Sequence, residues 1–200
     1  MTRQELINMV KTKVDELSPL DDIIVGVSSI NDKPIDSFAD SLLDESAKEL
    51  MMNVPLWRLG GTSLFLEVIP NKDGSGYVYL PEDFLRLIAF KMKEWERPVT
   101  DVVEEGSPLG KMQSNKYLRG GICKPICVIG HLSGFRILKY YSVNRNHELD
   151  NFTYAKILPA EDVPVDLQDI LTWWCASRIL QIVGKSDLSK IAYERGLSIL

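Results

Sequence analysis

Three residues with metal-ligating side chains recur at even spacing in the second half of the chain: Cys123, Cys127 and His131. Thiolates and imidazoles bind zinc, but structural zinc sites use four ligands, and paired cysteines usually stand two residues apart. The three residues are predicted to lie on one strand, which would spread them over roughly 26 Å at ~3.3 Å per residue. We therefore predict packed thiols and a surface histidine, with no metal and no cofactor.

Acidic residues form the second set that could perform chemistry: Asp101, Glu104 and Glu105. Together with His131 they could serve a small metal-dependent enzyme, which we keep as an alternative function. A solvated acidic face explains the same residues. The chain has only two histidines, and it lacks a nucleophile elbow, a P-loop and a dinucleotide fingerprint. We therefore assign no catalytic residue and expect a protein that is not an enzyme.

A polar segment punctuated by glycines, residues 105–121, lies between predicted strands, and we call it the arm. A connection of that length within a compact domain favours a functional excursion, although a solvated loop is the alternative. Trp, Tyr and Arg are enriched at the energetic centres of protein interfaces. We predict a subunit or ring interface that comprises Trp95, Arg97, Gln113, Asn115, Tyr117, Arg119, Trp173 and Trp174; the alternative is that these are ordinary core and surface residues.

Composition restricts the class of protein. A chain of 200 residues that is 45% apolar and 26% charged is typical of globular proteins with one elaborated domain or two small ones. Its 23 basic and 28 acidic residues give a net charge of −5, and without a basic block tight nucleic-acid binding is disfavoured. No apolar run approaches the ~20 residues of a membrane span. The first residues lack the apolar core of a signal peptide. The count of three cysteines indicates reduced thiols and no disulfide framework.

Helical periodicity is found near both ends of the chain. Residues 2–17 are predicted to form a helix with a capping box of Thr2 and Glu5. A second helix is predicted over residues 37–52, capped by Asp36 or Ser37. Between these helices we expect a short strand at residues 23–27 and a turn at residues 31–34.

The C-terminal part predicts a pair of helices. Residues 166–183 are apolar on nearly every side, which is typical of a helix buried on more than one face. Ser186 is expected to cap the last helix, residues 187–200. The side chains expected to face inward in that last helix are Leu188, Ile191, Ala192 and Leu197.

The middle of the chain predicts antiparallel strands. The central one has Ile88, Phe90 and Met92 on its buried face, although a helix over residues 81–94 is the competing interpretation. We expect it to form a hairpin with the short strand before it, residues 77–80, which also pairs with residues 63–69 across a glycine-rich turn. Further strands are predicted at residues 99–105, 124–132, 134–143 and 151–158, the middle two joined as a hairpin at Ser133 and Gly134.

These elements define a fold of the α+β class. Residues 1–55 and 159–200 are expected to form a helical bundle, from N-terminal helices and a C-terminal helix pair. Residues 56–158 are expected to form an antiparallel β-rich part with the arm extended from it. We assign the whole chain, residues 1–200, to a single domain.

Three stretches resemble head–tail adaptor ring proteins of tailed bacteriophages, especially the connector proteins of crAss-like phages and related podoviruses. They are LPEDFLRL (residues 80–87), WERPV (residues 95–99) and QSNKYLRG (residues 113–120). The order of elements is also similar: N-terminal helices, a β-rich middle with an arm, and a C-terminal helix pair. The resemblance spans roughly residues 35–200, and the first helix with residues 23–34 departs from it.

The resemblance implies a structural protein of the virion neck that is made in the host cytoplasm. It implies a ring of about twelve copies, stacked between the portal and the tail, with the genomic DNA passing through the central channel. The implied partners are further copies of this chain, the portal protein and adjacent ring or tail proteins, with no membrane. A negative net charge would repel the passing DNA. A monomeric binding module or assembly chaperone is the other non-enzymatic alternative.

Overall fold

The computed structural model describes residues 1–18 and 35–200. The chain forms two compact units, one from Met1–Leu59 with Ile157–Leu200 and one from Gly60–Lys156. The first unit is helical and the second is built on β-strands, which confirms the predicted α+β class. The strand predicted at residues 23–27 and the turn predicted at residues 31–34 lie outside the described residues.

In chain order, the regular elements are α1 (Arg3–Leu17), α2 (Ile35–Asn53), β1 (Thr62–Ser63), β2 (Ile69–Pro70), β3 (Gly76–Tyr79), β4 (Phe84–Met92), β5 (Val102–Glu104), α3 (Pro108–Gln113), β6 (Cys127–Leu132), β7 (Phe135–Tyr140), β8 (Leu149–Lys156), α4 (Val165–Ile182) and α5 (Ser186–Ile199). Short 3-10 turns stand at Leu56–Arg58 and Ala160–Asp162. Within the described ranges, no helix has the length and apolarity that a membrane span requires.

The start of α1 is as predicted. The Thr2 hydroxyl accepts a hydrogen bond from the Glu5 amide, and the Glu5 carboxylate accepts one from the Thr2 amide. This reciprocal arrangement satisfies two of the donors that a helix start leaves unpaired. The predicted cap of α2 is wrong, because the helix already begins at Ile35 and therefore includes Asp36 and Ser37.

Helix α4 is the centre of the helical unit, and it contacts α1, α2 and α5. The prediction that it is buried on more than one side is confirmed, because residues from every face of the helix are buried. A helix surrounded in this way keeps only a narrow polar stripe, here Asp166, Asp169 and Gln181, which is why its sequence lacks a clear amphipathic pattern.

The inward face of α5 differs from the prediction. Ser189, Ala192 and Gly196 are buried, whereas Ile191 and Leu197 are exposed. Small side chains allow α5 to approach the two tryptophans of α4 closely, and a Cβ at Gly196 would collide with the Trp174 indole. Ser186 does not cap this helix either, because the helix begins at Ser186 itself and no side chain makes a capping bond there.

Two sheets build the β unit around one apolar core. The first sheet has the strand order β1-β8-β4, and the second has the order β2-β3-β7-β6-β5. Residues 62–70 supply the edge strand of each sheet in turn, β1 at one end and β2 at the other. On the opposite side, Val99 pairs with Phe90 of β4, and the chain then forms β5 beside β6. The chain thus passes across both gaps between the sheets, although backbone pairing does not continue through residues 65–68.

The predicted central strand is confirmed, because residues Phe84–Met92 form strand β4 and not the helix that was the competing interpretation. Phe90 and Met92 are buried as predicted, but Ile88 is not, because bulges at Phe84/Arg86 and Leu87/Ala89 shift the side chains between faces. Leu87 is consequently buried and Ile88 only half-buried. The predicted hairpin of β3 with β4 is wrong, because the two strands belong to different sheets.

The other strand predictions have mixed outcomes. Pairing across the glycine-rich turn is confirmed by Ile69 opposite Tyr77, but residues 64–68 between β1 and β2 form no strand. The β6–β7 hairpin and strand β8 are confirmed. The β-part is not purely antiparallel, because β5 runs parallel to β6.

Replacing Gly196 with leucine should lower the free energy of unfolding by about 1–2 kcal/mol net. The overpacking against the Trp174 indole exceeds the roughly 1 kcal/mol that removal of a helical glycine gains. Urea unfolding measures the change. Glu194→Leu is the matched control on the exposed side of the same helix and should change the stability little; equal stability of the two variants would contradict the close packing.

Candidate functional site

The arm was predicted to be extended, and the structure corrects this. It contains the short helix α3, whose first turn is capped by Ser107: the serine hydroxyl accepts a hydrogen bond from the Gly110 amide at 3.1 Å. Pro108 at the first helical position favours that start. At the base of the arm, the Glu105 carboxylate pairs with Lys139 of β7. Polar contacts therefore attach the arm to the sheet at its base, while most side chains between residues 105 and 121 stay exposed to solvent.

Arg119 fastens the far end of the arm. Its guanidinium donates to the Gln113 carbonyl at 2.8 Å, to the Asp73 carbonyl at 2.9 Å and to the Asp73 carboxylate at 2.5 Å. The same group stacks over the Tyr141 ring, 5.2 Å from its centroid. The Arg119 side chain is only 8% exposed, so this arginine holds the end of α3 against the turn that precedes β3.

The electrostatics of this junction favour an ionised carboxylate. Hydrogen bonds to the Asp73 carboxylate hold its pKa well below its usual range. The bond from the Ser75 hydroxyl has the largest effect, and the bond from Arg119 has the next largest. The Ser75 amide adds a further bond to the same carboxylate. These donors stabilise the charged form and outweigh the cost of partial burial.

Apart from Arg119, which is nearly buried and bonds within its own chain, the predicted interface residues fall into two groups. Buried in the protein's own core are Trp95, Gln113, Trp173 and Trp174. Trp95 packs edge-on against Phe90. The Gln113 side chain bonds within the arm, to the Leu109 carbonyl and the Gly120 amide. These side chains have no surface to offer a second chain, and we exclude them from the interface that we propose below.

The two tryptophans of α4 are buried within the helical unit. Trp173 has cations on its ring, the Lys13 ammonium at 4.4 Å and the Arg195 guanidinium at 5.0 Å from the centroid. Trp174 stacks on Tyr193 of α5 with ring centroids 5.0 Å apart. Both rings therefore join helices of one chain.

The exposed group consists of Arg97, Asn115 and Tyr117. Asn115 and Tyr117 lie together at the tip of the arm, because the Asn115 side-chain oxygen accepts a hydrogen bond from the Tyr117 amide at 3.0 Å. This turn presents the Tyr117 ring to solvent with 93% of its surface exposed. Arg97 lies on the connection between β4 and β5, beside Glu96, whose amide donates a hydrogen bond to the Ile122 carbonyl just after the arm.

Three aromatic side chains outside the predicted set are more than half exposed. Trp57 is 81% exposed, Phe65 is 87% exposed and Phe135 is 63% exposed. The exposure of Phe65 has a signal in the sequence, because a strand over residues 63–69 with Leu64, Leu66 and Val68 on one face places Phe65 on the other. For Trp57 and Phe135 the sequence contains no comparable signal.

The residues weighed for metal binding or catalysis do not converge. Cys127 is buried, and burial raises the pKa of its thiol, whereas Cys123 lies exposed in the loop before β6 and bonds to Glu96. His131 is exposed on β6. Across residues 1–18 and 35–200, no group of three or more His, Cys, Asp or Glu side chains could hold a metal ion.

No protein family model matches the chain, and no curated protein is similar to it in sequence.

Arg119→Ala should release the arm. We expect a loss of about 1–3 kcal/mol in the free energy of unfolding, because a nearly buried, charge-assisted set of hydrogen bonds disappears. We also expect faster tryptic cleavage at Lys111 and Lys116 and faster amide exchange over residues 105–121. Lys116→Ala is the control for loss of a positive charge in the arm, and an arm that stays protected in Arg119→Ala would contradict the anchoring role.

The lowered pKa of Asp73 predicts a pH dependence of stability. A carboxyl with a depressed folded-state pKa contributes stability above its unfolded pKa of about 3.9, and that stability is lost as the pH falls towards the folded-state value. Between pH 5 and pH 3 the wild type should therefore lose more stability than Asp73→Asn, measured by urea unfolding. Equal losses in the two proteins would show that Asp73 carries no shifted titration.

Proposed function

We propose that this protein is a structural ring protein of a bacteriophage neck, which joins the portal to the tail and lines part of the DNA channel. Its action is mechanical and needs no catalytic residue. The proposal combines the resemblance of residues 80–87, 95–99 and 113–120 to head–tail adaptors with the surface of the folded chain. The partners would be further copies of this chain, the portal protein and the neighbouring tail proteins.

The observation that carries the proposal is the set of solvent-exposed aromatic rings. Tyr117, Phe65 and Trp57 are each more than four-fifths exposed, although both units have apolar cores of their own. Burial of such a side chain is worth about 1.5–3 kcal/mol, and aromatic residues are enriched where protein chains meet. Aromatic side chains that are exposed to solvent in a single copy are expected to be buried in contacts with other chains.

A ring requires two different surfaces on each copy, because a head-to-tail contact closes only when one patch binds another. The exposed rings belong to separate elements: Tyr117 to the arm, Phe65 to the connection between β1 and β2, and Trp57 to the helical unit. This distribution supports contacts of more than one kind. The net charge of −5 supports a channel through which DNA passes without binding.

The proposal predicts that the double variant Tyr117→Ser, Leu118→Ser folds normally and assembles poorly. Both side chains are exposed in the single copy, so the stability should change little. Association with other copies, or with the portal, should weaken about tenfold or more because apolar contact area is lost. Mass photometry of the purified protein with and without portal measures assembly, and thermal unfolding verifies the fold.

Lys111→Ser is the matched control, since it removes another exposed side chain from the same arm. It should assemble as the wild type does. Complete rings from the double variant would remove the arm tip from the interface. A wild-type protein that stays monomeric with portal present, and is absent from purified virions, would contradict the proposed function and favour the monomeric binding module.

A further inference from the structure

The β unit has an open seam where residues 62–70 pass from one sheet to the other. At one end Thr62 and Ser63 pair with Tyr154 and Thr153, and the Leu64 amide bonds to the Phe152 carbonyl at 3.2 Å. Continuing that register would place Glu67 opposite Leu149. The two stretches have separated before that point, and pairing resumes only where Ile69 joins Tyr77 of the other sheet.

The separation leaves hydrogen-bonding groups without partners. In the part of the chain that the structure describes, the backbone of Phe65, Leu66, Glu67 and Val68 makes no hydrogen bond. Unpaired amides and carbonyls along an extended stretch are a template for pairing with another strand. The chemical group that satisfies such a row is the backbone of an extended polypeptide.

A cleft occupies the seam. Its volume is about 620 Å³, within the range of ~300–1,000 Å³ that is usual for binding clefts. Residues 65–68 line one side, and Lys93 with residues 147–149 line the other. Leu66, Val68 and Leu149 supply apolar surface, which suits a peptide whose side chains alternate between the cleft and solvent.

The charges at the seam select a basic peptide. Lys93 and Glu148 form an ion pair with each other, whereas Glu67 is exposed and, among the described residues, has no cationic partner. At the tip of the arm, Lys116 is exposed and equally unpaired among those residues, and it is followed by the exposed apolar side chains of Tyr117 and Leu118. The tip thus complements the seam in charge and in apolar character.

We propose that the seam of one copy receives the arm tip of a second copy, residues 114–118, as an added β-strand with Lys116 beside Glu67. In the single copy, the Asn115 amide donates to the Met112 carbonyl and the Leu118 amide donates to the Asn115 carbonyl. On binding, the tip would replace these two hydrogen bonds with hydrogen bonds to the backbone of residues 65–68. The inference rests on the proposed self-association and names its site. It also explains why Phe65 and Tyr117 are both exposed in a single copy.

A synthetic peptide of residues 112–120 tests the seam directly when it is added to the full-length protein. Amide hydrogen exchange should show new protection at residues 65–68 that saturates with peptide concentration. The same peptide N-methylated at every second residue keeps the side chains but blocks backbone pairing, so it should give no protection. Absence of protection with the unmethylated peptide at millimolar concentration, or protection confined to other residues, would overturn the proposal.

A charge exchange tests the pairing of Lys116 with Glu67. Glu67→Lys in the protein should weaken peptide binding about three- to tenfold, and Lys116→Glu in the peptide should do the same. The two changes together should restore binding. Additive losses without restoration would place Lys116 elsewhere and overturn the stated register.

The result can be separated from the fate of the proposed function. If Tyr117→Ser, Leu118→Ser blocks ring assembly while the peptide gives no protection of residues 65–68, the arm binds its neighbour at a different surface and only the seam inference fails. If the peptide protects the seam but the protein never assembles with itself or with portal, the strand-binding site is supported and the proposed ring function is rejected.

Discussion

The burial of Phe90 is the constraint on which the β unit depends. Its ring packs against Trp95 of the following turn, Tyr140 of the second sheet and Phe152 of the first sheet, with centroids 5.7–6.3 Å apart. Its backbone also forms the bridge to Val99 that turns the chain towards β5. Since this one residue contacts both sheets, its burial fixes how they face each other. The chain crosses between the sheets four times, and one of these crossings is the seam at residues 65–68.

The arm illustrates how satisfied polar groups decide whether a loop is ordered. A segment with few apolar residues cannot be held by a core of its own, but it can be held by hydrogen bonds. Glu105 at its base and Arg119 at its end each find a charged partner on the sheet side. The tip between them is left with Lys116, Tyr117 and Leu118 exposed. A rigid base with an apolar, basic tip is suited to reach another protein chain at little cost in conformational entropy.

The two units solve burial in different ways. In the helical unit, small residues of α5 leave room for the large rings of α4, so aromatic side chains pack between the helices of one chain. In the β unit, aromatic residues fill the shared core, while Phe65, Phe135 and Tyr117 stay outside it. Residue type alone therefore does not show whether an aromatic side chain packs inside its own chain or is exposed for contact with another chain. The distinction depends on how closely neighbouring elements approach.

The sequence by itself determined the class of fold and most of its elements, because those depend on local periodicity, capping and turn chemistry. The capping box of α1, the apolar surround of α4 and the hairpin at Ser133 and Gly134 are all local patterns. Only the tertiary structure decided which strands pair, because β3 and β4 are neighbours in sequence but belong to different sheets. It also decided that Trp95, Trp173 and Trp174 are internal while Tyr117 is exposed, since burial is a property of the neighbours that the folded chain brings together.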